Sequence, residues 1–472
     1  MIKQISGSQM ISEALHEEGV EIVFGYPGGA ALNIYDETYK QTYFKHVLVR
    51  HEQAAVHAAD GYARVSGKVG VAFVTSGPGF TNAVTGLATA YSDSIPVVLI
   101  SGQVPTFMIG TDAFQEIDAV GISRPCVKHN FLVNSVEELP RIIKEAFYIA
   151  RSGRPGPVHI DIPKNVTSRL GDFVYPKEIS IPSYKPTYKG NSKQIKKAAA
   201  AINEAKRPLL YIGGGAVASN ASEIIRKFMK KTGIPAVETL MALGVLDAKD
   251  KLNLGMAGMH GSYASNMALS ECDLLISLGA RFCDRVTGKT DEFAKHAKII
   301  HIDIDPSSIS KIINAHYPIV GDLTNVLSEL YEEVKGEPKN YAPWREILDR
   351  YQKLNPLGYT DSDKVLKPQW VVEETAKIVG PEAIIATDVG QHQMWVAQFY
   401  PFNRPRQLVT SGGLGTMGYG LPAAIGAKCA MPEHLVVNFT GDGSILMNIQ
   451  ELMTAYETNV PVINIILNNN FL

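Results

Sequence analysis

Short apolar runs rich in valine and isoleucine alternate with alanine-rich helical stretches along most of the chain. Such runs are typical of parallel strands buried on both faces, and the stretches between them have the length of crossover helices. The pattern therefore predicts α/β domains with doubly wound parallel sheets. The strands predicted in the first third of the chain are residues 21–24, 46–50, 69–75, 96–101 and 157–162.

Two polar stretches, 183–194 and 336–368, interrupt this pattern and predict connectors, the second of which carries one helix. We therefore expect three domains with one shared architecture, at residues 1–182, 190–335 and 368–472. The chain stops five residues after its last predicted strand, so we expect the third sheet to be incomplete and the chain to be a fragment. Further strands are predicted at 208–212, 235–239, 273–278, 298–304, 318–320, 383–387, 408–410, 435–440 and 461–467.

Composition narrows the classes of partner. The 472 residues suffice for about three domains. Charged residues make up 19% and the formal net charge is -2, which indicates neither a nucleic-acid nor a membrane-surface footprint. The four cysteines lack any C-x-x-C spacing, and no apolar run reaches the roughly 18 residues of a membrane span. We expect a soluble cytoplasmic protein without a signal peptide that acts on small molecules.

Two motifs near the end of the chain follow consecutive predicted strands. Gly-Asp-Gly-Ser (441–444) follows one strand, and Asn-Asn-Asn (468–470) follows the next. One right-handed crossover accounts for the 27 positions from Asp442 to Asn469, so the two strands can lie adjacent and both side chains can share one metal. Their oxygens suit Mg²⁺ with phosphate as a further ligand. The alternative is a tight turn and a surface cap, and the spacing favours the metal site.

Glu52 lies where a predicted strand passes into the helix 54–63. Taken alone, it fits an ordinary acidic residue in the first turn of a helix, where the helix dipole favours it. Two glycine-containing turns, 25–30 and 76–82, would lie on the same rim of the first sheet. Together with Glu52 they form a candidate binding rim.

These segments resemble the thiamine-diphosphate enzyme family, whose signature is Gly-Asp-Gly followed after a fixed interval by Asn-Asn. The resemblance implies that Asp442, Asn469 and the carbonyl of Phe471 bind Mg²⁺. It also implies that Glu52 is the catalytic carboxylate that hydrogen-bonds the aminopyrimidine ring and so relays the proton of the thiazolium carbon. Further implied thiamine diphosphate contacts are Gly28, Gln391, His392, Gly415, Met417, Gly443 and Ser444.

Met417 lies in the glycine-rich segment 411–420, which resembles the family segment that wedges the cofactor into a bent form; the alternative is simple core packing. The family assembles its site from the first domain of one subunit and the third domain of another. The resemblance therefore implies a homodimer or homotetramer.

The middle domain resembles the flavin-binding segments of acetohydroxyacid synthases at 213–216, 258–261, 279–288 and 301–306. Cys283 departs from that family, in which an aspartate is usual, although the flanking residues are kept. The implied FAD contacts are Arg154, Gly213, Gly214, Gly258, Met259, His260, Gly279, Arg281, Asp303 and Asp322.

The loop 110–116 resembles the family's active-site loop. The resemblance implies Gln115 and Lys164 as catalytic residues and Phe114 and Arg285 as substrate contacts, and positive charge suits a 2-ketoacid carboxylate. The implied reaction decarboxylates pyruvate and transfers the hydroxyethyl unit to pyruvate or 2-ketobutyrate in branched-chain amino acid biosynthesis. A regulatory small subunit is also implied, and we expect the fragment to be inactive.

Two other classes stay open at the level of sequence. Gly213, Gly215 and Ala218 fit a dinucleotide fingerprint, with Glu238 about 20 positions on, so a nicotinamide dehydrogenase is the second enzyme hypothesis. That hypothesis leaves Glu52 and Asp442 without a role. A binding protein that has lost its chemistry is the non-enzyme hypothesis, and the presence of Glu52 argues against it.

Overall fold

The structure is a computed structural model that describes residues 3–335 and 341–470. Contacts divide the chain into two compact units. The first unit comprises Met1–Lys185, Ala383–Gly390 and Val409–Leu472, and the second comprises Pro186–Glu382 and Gln391–Leu408.

The first unit begins with eight strands and seven helices. They are β1 (Lys3–Ser6), α1 (Gly7–Glu17), β2 (Ile22–Gly25), α2 (Leu32–Lys40), β3 (Lys45–Leu48), α3 (Glu52–Ser66), β4 (Gly70–Val74), α4 (Pro78–Asp93), β5 (Val97–Gln103), α5 (Ala119–Ser123), β6 (His129–Leu132), α6 (Leu139–Arg151), β7 (Val158–Pro163), α7 (Lys164–Ser168) and β8 (Leu170–Phe173). Six strands form a parallel sheet in the order β3-β2-β4-β5-β7-β6, and β1 pairs with β8 antiparallel. The predicted parallel α/β architecture is confirmed here.

The second unit contains a sheet of six parallel strands. Its elements are α8 (Ser192–Glu204), β9 (Pro208–Ile212), α9 (Gly215–Ala218), α10 (Ser222–Thr232), β10 (Ala236–Glu238), β11 (Asn253–Met256), α11 (Tyr263–Glu271), β12 (Leu274–Leu278), α12 (Asp284–Thr287), β13 (Lys298–Asp303), β14 (Tyr317–Val320), α13 (Leu323–Glu333), α14 (Ala342–Leu354), α15 (Pro368–Val379) and α16 (Gln391–Phe399). The order β11-β10-β9-β12-β13-β14 reverses direction between β9 and β12, as in a doubly wound dinucleotide-binding sheet.

A third sheet has four strands in the order β16-β15-β17-β18. The elements of this part of the chain are β15 (Ile384–Thr387), β16 (Leu408–Val409), α17 (Gly420–Ala430), β17 (Val436–Gly441), α18 (Asp442–Leu446), α19 (Glu451–Glu457) and β18 (Ile463–Leu467). Helix α17 is almost entirely buried, because one side packs on β15 and β17 and the other on α3. The first and third sheets therefore belong to one compact unit, which the sequence pattern did not indicate.

The sequence pattern missed the antiparallel pair β1 and β8, and it also missed two strands of the parallel sheets, β6 and β11. Their sequences, HNFL and NLGM, contain polar residues or glycine, and both strands lie at the edge of a sheet. An edge strand needs no continuous apolar run, so its pattern is weak. Helix α3 was predicted as 54–63 and is longer, because His51 caps it and Gly67 in the left-handed conformation ends it. Within residues 3–335 and 341–470, no helix combines the length and apolar character needed to cross a membrane.

Candidate active site

The candidate residues of the first sheet lie at one edge. Parallel strands end at the same edge, so the segments that follow β2, β3, β4, β5 and β7 converge there. Glu52 is the first residue of α3, and Lys164 is the first residue of α7. The structure thus brings the predicted Gly28, Glu52, Gln115 and Lys164 to one rim.

Glu52 is held in place from one side. The Nδ2 of Asn82 donates a hydrogen bond of 2.9 Å to its Oε2. A Cβ added to Gly79 would lie 3.3 Å from Oε1, so the glycine leaves room for the carboxylate. Asn82 lies on α4 and had no assigned role in the sequence analysis, because only the fold shows that it faces Glu52. The result is an oriented, half-buried carboxylate at a glycine-lined rim.

Gly77 forms the contact between the rim and the loop that carries Gln115. Its φ of 58° and ψ of -118° lie outside the region open to other residues, and a Cβ there would come within 2.7 Å of the Gln115 carbonyl oxygen. Gln115 itself has a φ of 59°. The Glu116 carboxylate holds this shape by accepting hydrogen bonds from the Ala113 amide, at 3.0 Å, and from the Gly110 amide. These backbone amides lower the pKa of Glu116.

Lys164 lies beside the same loop. Asn165 accepts a hydrogen bond of 2.9 Å from the Thr106 amide and donates one of 3.0 Å to the Thr106 hydroxyl. These two bonds fix the start of α7 to the loop after β5. Phe114 projects from that loop with 87% of its surface exposed. The segment that carries Lys164 is thus bonded to the beginning of the segment after β5 that leads to Phe114 and Gln115.

A buried polar cluster lies on the strands below this rim. The Ser101 hydroxyl donates a hydrogen bond of 2.6 Å to Asp161, and it also lies 2.7 Å from His159 Nε2. Gln103 bridges Asp161 to the Ile117 carbonyl, at 2.9 and 3.0 Å. Burial lowers the pKa of His159 to about 3 and raises that of Asp161 to about 7. None of these side chains reaches solvent, so the cluster has a structural role. Its hydrogen bond from Gln103 to Ile117 fixes the end of the segment that follows β5.

The metal motif has the predicted strand geometry. Strands β17 and β18 are adjacent and parallel, with Gly441 opposite Leu467, so Asp442 and Asn468 leave the sheet side by side and Asn469 follows. The predicted adjacency is confirmed. Ser444 donates a hydrogen bond of 2.9 Å to the Val389 carbonyl, in the segment after β15. Phe471, the third predicted ligand, lies outside the described residues.

Asp388 organises the glycine-rich segment 411–420. Its buried carboxylate accepts hydrogen bonds from the amides of Val389, Gly418 and Gly420, at 2.9, 2.8 and 3.3 Å. Burial raises its pKa to about 6. Asp388 was not predicted as a site residue, although its place directly after a strand was a signal. Gly415, with a φ of 69°, and half-buried Met417 lie on the segment that Asp388 shapes.

In the second unit, the predicted flavin contacts lie at the carboxyl ends of several strands of the sheet, and those after β9 and β12 flank its switch point. A Cβ on Gly213 would lie 2.3 Å from the Gly279 carbonyl oxygen, which shows how closely the turns after β9 and β12 approach. The Met259 amide donates a hydrogen bond of 2.8 Å to the Arg285 carbonyl. Asp303 is the last residue of β13, and the other predicted positions follow strands of this sheet: Gly214, Gly258, His260, Arg281 and Asp322.

Three predicted contacts lie elsewhere. Gln391 and His392 begin α16 in the second unit, and Arg154 belongs to the first unit, where its Nε donates a hydrogen bond of 2.8 Å to the Ser94 hydroxyl.

Glu238 is only 2% exposed and accepts hydrogen bonds of 3.0 Å from the Leu246 amide and from Asn253. It is therefore engaged within the protein and not presented to a ribose, as the nicotinamide hypothesis would require.

Three family descriptions match the chain. They are "Thiamine pyrophosphate enzyme, N-terminal TPP binding domain" over residues 5–122, "central domain" over 195–330 and "C-terminal TPP binding domain" over 388–472. An acetolactate synthase large subunit of Haemophilus influenzae is 50% identical over 100% of this chain and 83% of its own length. The chain belongs to the acetolactate synthase large-subunit family.

Other members are similar over the same span. The acetolactate synthase isozyme 3 large subunit of Escherichia coli is 48% identical over 100% of the chain and 83% of its own length. The large subunit of Corynebacterium glutamicum is 49% identical over 99% of the chain and 75% of its own length. The predicted family, a thiamine-dependent enzyme of branched-chain amino acid biosynthesis, is confirmed. The dinucleotide fingerprint thus belongs to a thiamine pyrophosphate enzyme central domain.

Proposed function

We propose that this protein is the catalytic subunit of an acetolactate synthase that uses thiamine diphosphate, Mg²⁺ and FAD. It decarboxylates pyruvate and transfers the hydroxyethyl unit to pyruvate or 2-ketobutyrate. When bound, thiamine diphosphate supplies the nucleophilic carbon and the electron sink that the decarboxylation of a 2-ketoacid needs. The observation that carries the proposal is the oriented carboxylate of Glu52 on a glycine-lined rim, in a chain whose relatives carry this name.

The rim fits an aminopyrimidine ring. Glu52 offers Oε1 toward the space above Gly79, while Asn82 holds Oε2. A carboxyl group fixed in this way can hold or return a proton on a ring nitrogen without losing its position. Gly28 lies on the same rim, and a Cβ there would come within 2.4 Å of the Thr75 side chain.

The strand ends at Asp442 and Asn469 fit a hard cation. Asp442 brings a carboxylate and Asn469 an amide oxygen, and Mg²⁺ binds through few protein oxygens together with phosphate oxygens. Among the residues that the structure describes, no three His, Cys, Asp or Glu side chains converge on one metal position. A cation at this edge would therefore depend on the diphosphate as well as on the protein.

The switch point of the second unit fits an extended dinucleotide such as FAD. Ligands of doubly wound sheets bind in the crevice where the strand order reverses, and here Gly213 and Gly279 let the turns after β9 and β12 pack closely together at that point. Arg281 and Asp303 would supply polar contacts. The implied reaction requires no net redox change, so we assign the flavin a structural role.

Lys164 and Gln115 would bind the 2-ketoacid. An ammonium group attracts the carboxylate, and Gln115, whose backbone packs against Gly77, would supply a side-chain amide. Phe114, which is 87% exposed in the single chain, would offer the substrate an apolar contact.

We also propose a homodimer or homotetramer, a regulatory small subunit and domain boundaries at 1–182, 190–335 and 368–472. The relatives are named large subunits, which supports a second type of subunit. The four cysteines form no disulfides, in keeping with a cytoplasmic location.

Replacement of Glu52 by Gln tests the function. The amide can still accept a hydrogen bond from Asn82 but cannot take a proton, so we expect acetolactate formation to fall by about 10² to 10⁴-fold while bound flavin is kept. Glu223→Gln is the matched control, because Glu223 is also in the first turn of a helix but is solvated. The measurements use the full-length subunit. Wild-type turnover in its Glu52→Gln variant would refute the assignment of Glu52, and a full-length wild-type subunit that forms no acetolactate would refute the function.

A further inference from the structure

The segment 411–420, here called the glycine loop, is bound to helix α4 of the same unit. Both oxygens of Asp93 accept hydrogen bonds from it, Oδ2 from the Gly412 amide at 3.0 Å and Oδ1 from the Gly413 amide at 2.7 Å. The side chain of Asp93 is fully buried. A Cβ on Gly413 would lie 2.9 Å from Asp93 Oδ1, so a larger residue would push the loop away.

A second bond joins the same helix to the middle of the glycine loop. The Thr89 and Thr416 hydroxyls are 2.7 Å apart and buried. Thr89 donates its only hydroxyl hydrogen to the Thr85 carbonyl, at 2.8 Å, so Thr416 is the donor to Thr89. Thr89 and Asp93 are four residues apart and therefore lie on one face of α4.

Helix α3 holds the far end of the glycine loop. The Tyr419 hydroxyl donates a hydrogen bond of 2.5 Å to Asp60. Arg64 pairs with Asp60 at 2.5 Å and with Asp93 at 2.7 Å, so one guanidinium joins both carboxylates. Buried carboxylates are stable only when they are paired or hydrogen-bonded, and in this cluster the loop amides supply part of that requirement.

We propose that Thr89 and Asp93 are positioning residues for thiamine diphosphate. They bond the glycine loop to helix α4 and so fix the position of the loop residues that contact the cofactor. The inference rests on the proposed function, in which Gly415 and Met417 contact the cofactor. Met417 follows Thr416 directly, so the Thr89–Thr416 bond is one residue from the proposed wedge. Thr89 and Asp93 lie in the C-terminal half of α4, away from Gly79 and Asn82 at its start, and act on the cofactor only through the loop.

Thr89→Val tests the inference, because it keeps the shape of the side chain and removes the acceptor. Isothermal titration with thiamine diphosphate and Mg²⁺ should show binding weakened about threefold to tenfold, the range expected for one lost buried hydrogen bond. Thr89→Ser should restore it. Thr38→Val is the matched control, since Thr38 is also buried and donates to the carbonyl four residues back, at 2.8 Å, away from the loop.

Asp93→Asn provides a second, independent variant. The amide has one acceptor oxygen where the carboxylate has two, so it loses a loop bond, and we expect cofactor binding to weaken about tenfold or more. The KM for pyruvate at saturating cofactor should stay unchanged, because Lys164 and Gln115 are untouched.

Bound flavin and melting temperature, measured on each variant, separate a loop effect from general unfolding. Equal cofactor affinity in Thr89→Val, Thr38→Val and the wild type would overturn the inference, as would no effect of Asp93→Asn. Failure of the proposed function would look different, since the wild type itself would not bind thiamine diphosphate.

Discussion

The crossing of helices α3 and α17 gives a sharp prediction for Gly426→Ala. Gly426 lies inside α17, where alanine is favoured over glycine by about 1 kcal/mol, so helix propensity alone predicts a more stable protein. The structure predicts the opposite. A Cβ at position 426 would lie 1.8 Å from the Ala58 carbonyl oxygen, and the reciprocal Cβ on Gly61 would lie 2.1 Å from that of Ala423.

The magnitude follows from the distance. Real Cβ atoms do not approach heavy atoms closer than 3.0 Å, so the two helices would have to separate by more than an ångström along a buried contact. Both neighbours are backbone atoms and cannot rotate away. Overpacking costs about 1–3 kcal/mol, and a shift of this size against backbone atoms belongs to the upper part of that range, about 2–3 kcal/mol, which exceeds the gain in helix propensity. We therefore expect a net destabilisation of the first unit by about 1–2 kcal/mol.

The assay is thermal unfolding followed by circular dichroism, with Gly358→Ala as the control. Gly358 has no atom within 4 Å of the added Cβ, so alanine there should be neutral or stabilise by up to about 1 kcal/mol. Gly426→Ala should melt several degrees lower than both the control and the wild type. A melting temperature equal to or above that of the wild type would show that the helices do not cross as closely as described.

Three further variants test other parts of the structure. Asp442→Ala should weaken thiamine diphosphate binding in isothermal titration with Mg²⁺ and leave bound flavin intact; unchanged affinity would make Asp442 a turn residue only. Burial raises the pKa of Asp161 from 3.8 to about 7, so its stabilising contribution is complete below pH 3.8 and is lost as pH rises through 7. This loss is at most about 4 kcal/mol of the free energy of unfolding. Denaturant unfolding at several pH values should show it in the wild type and not in Asp161→Asn. The same pH dependence in both proteins would contradict the raised pKa of Asp161. Glu238→Gln should keep the flavin absorbance of the purified protein. Burial raises the pKa of Glu238 to about 7, and the amide mimics the protonated carboxyl group. Loss of flavin from this variant would show that the Glu238 carboxylate contributes to flavin binding.

The sequence by itself determined the fold class and the family. Runs of valine and isoleucine marked the central strands, since a strand buried on both faces must be apolar along its whole length. The positions of Glu52 and Asp442 also followed from local sequence, because each comes directly after a strand and parallel strands end at one edge. Edge strands such as β6 and β11 escaped notice, since half-exposed strands tolerate polar residues and glycine.

Only the tertiary structure decided which distant residues support the site. Asn82 orients Glu52, Asp388 shapes the glycine loop, and Asp93 binds that loop across more than 300 positions of sequence. No local pattern marks such residues, because an aspartate at the end of a helix looks the same whether it faces water or a buried amide. The sequence likewise gave no sign that Gly61 and Gly426 are needed for the contact between α3 and α17. The need for a glycine in a helix can be seen only when the backbone that it approaches is known. Periodicity records which side of an element is buried, whereas the partner on that side depends on how the whole chain packs.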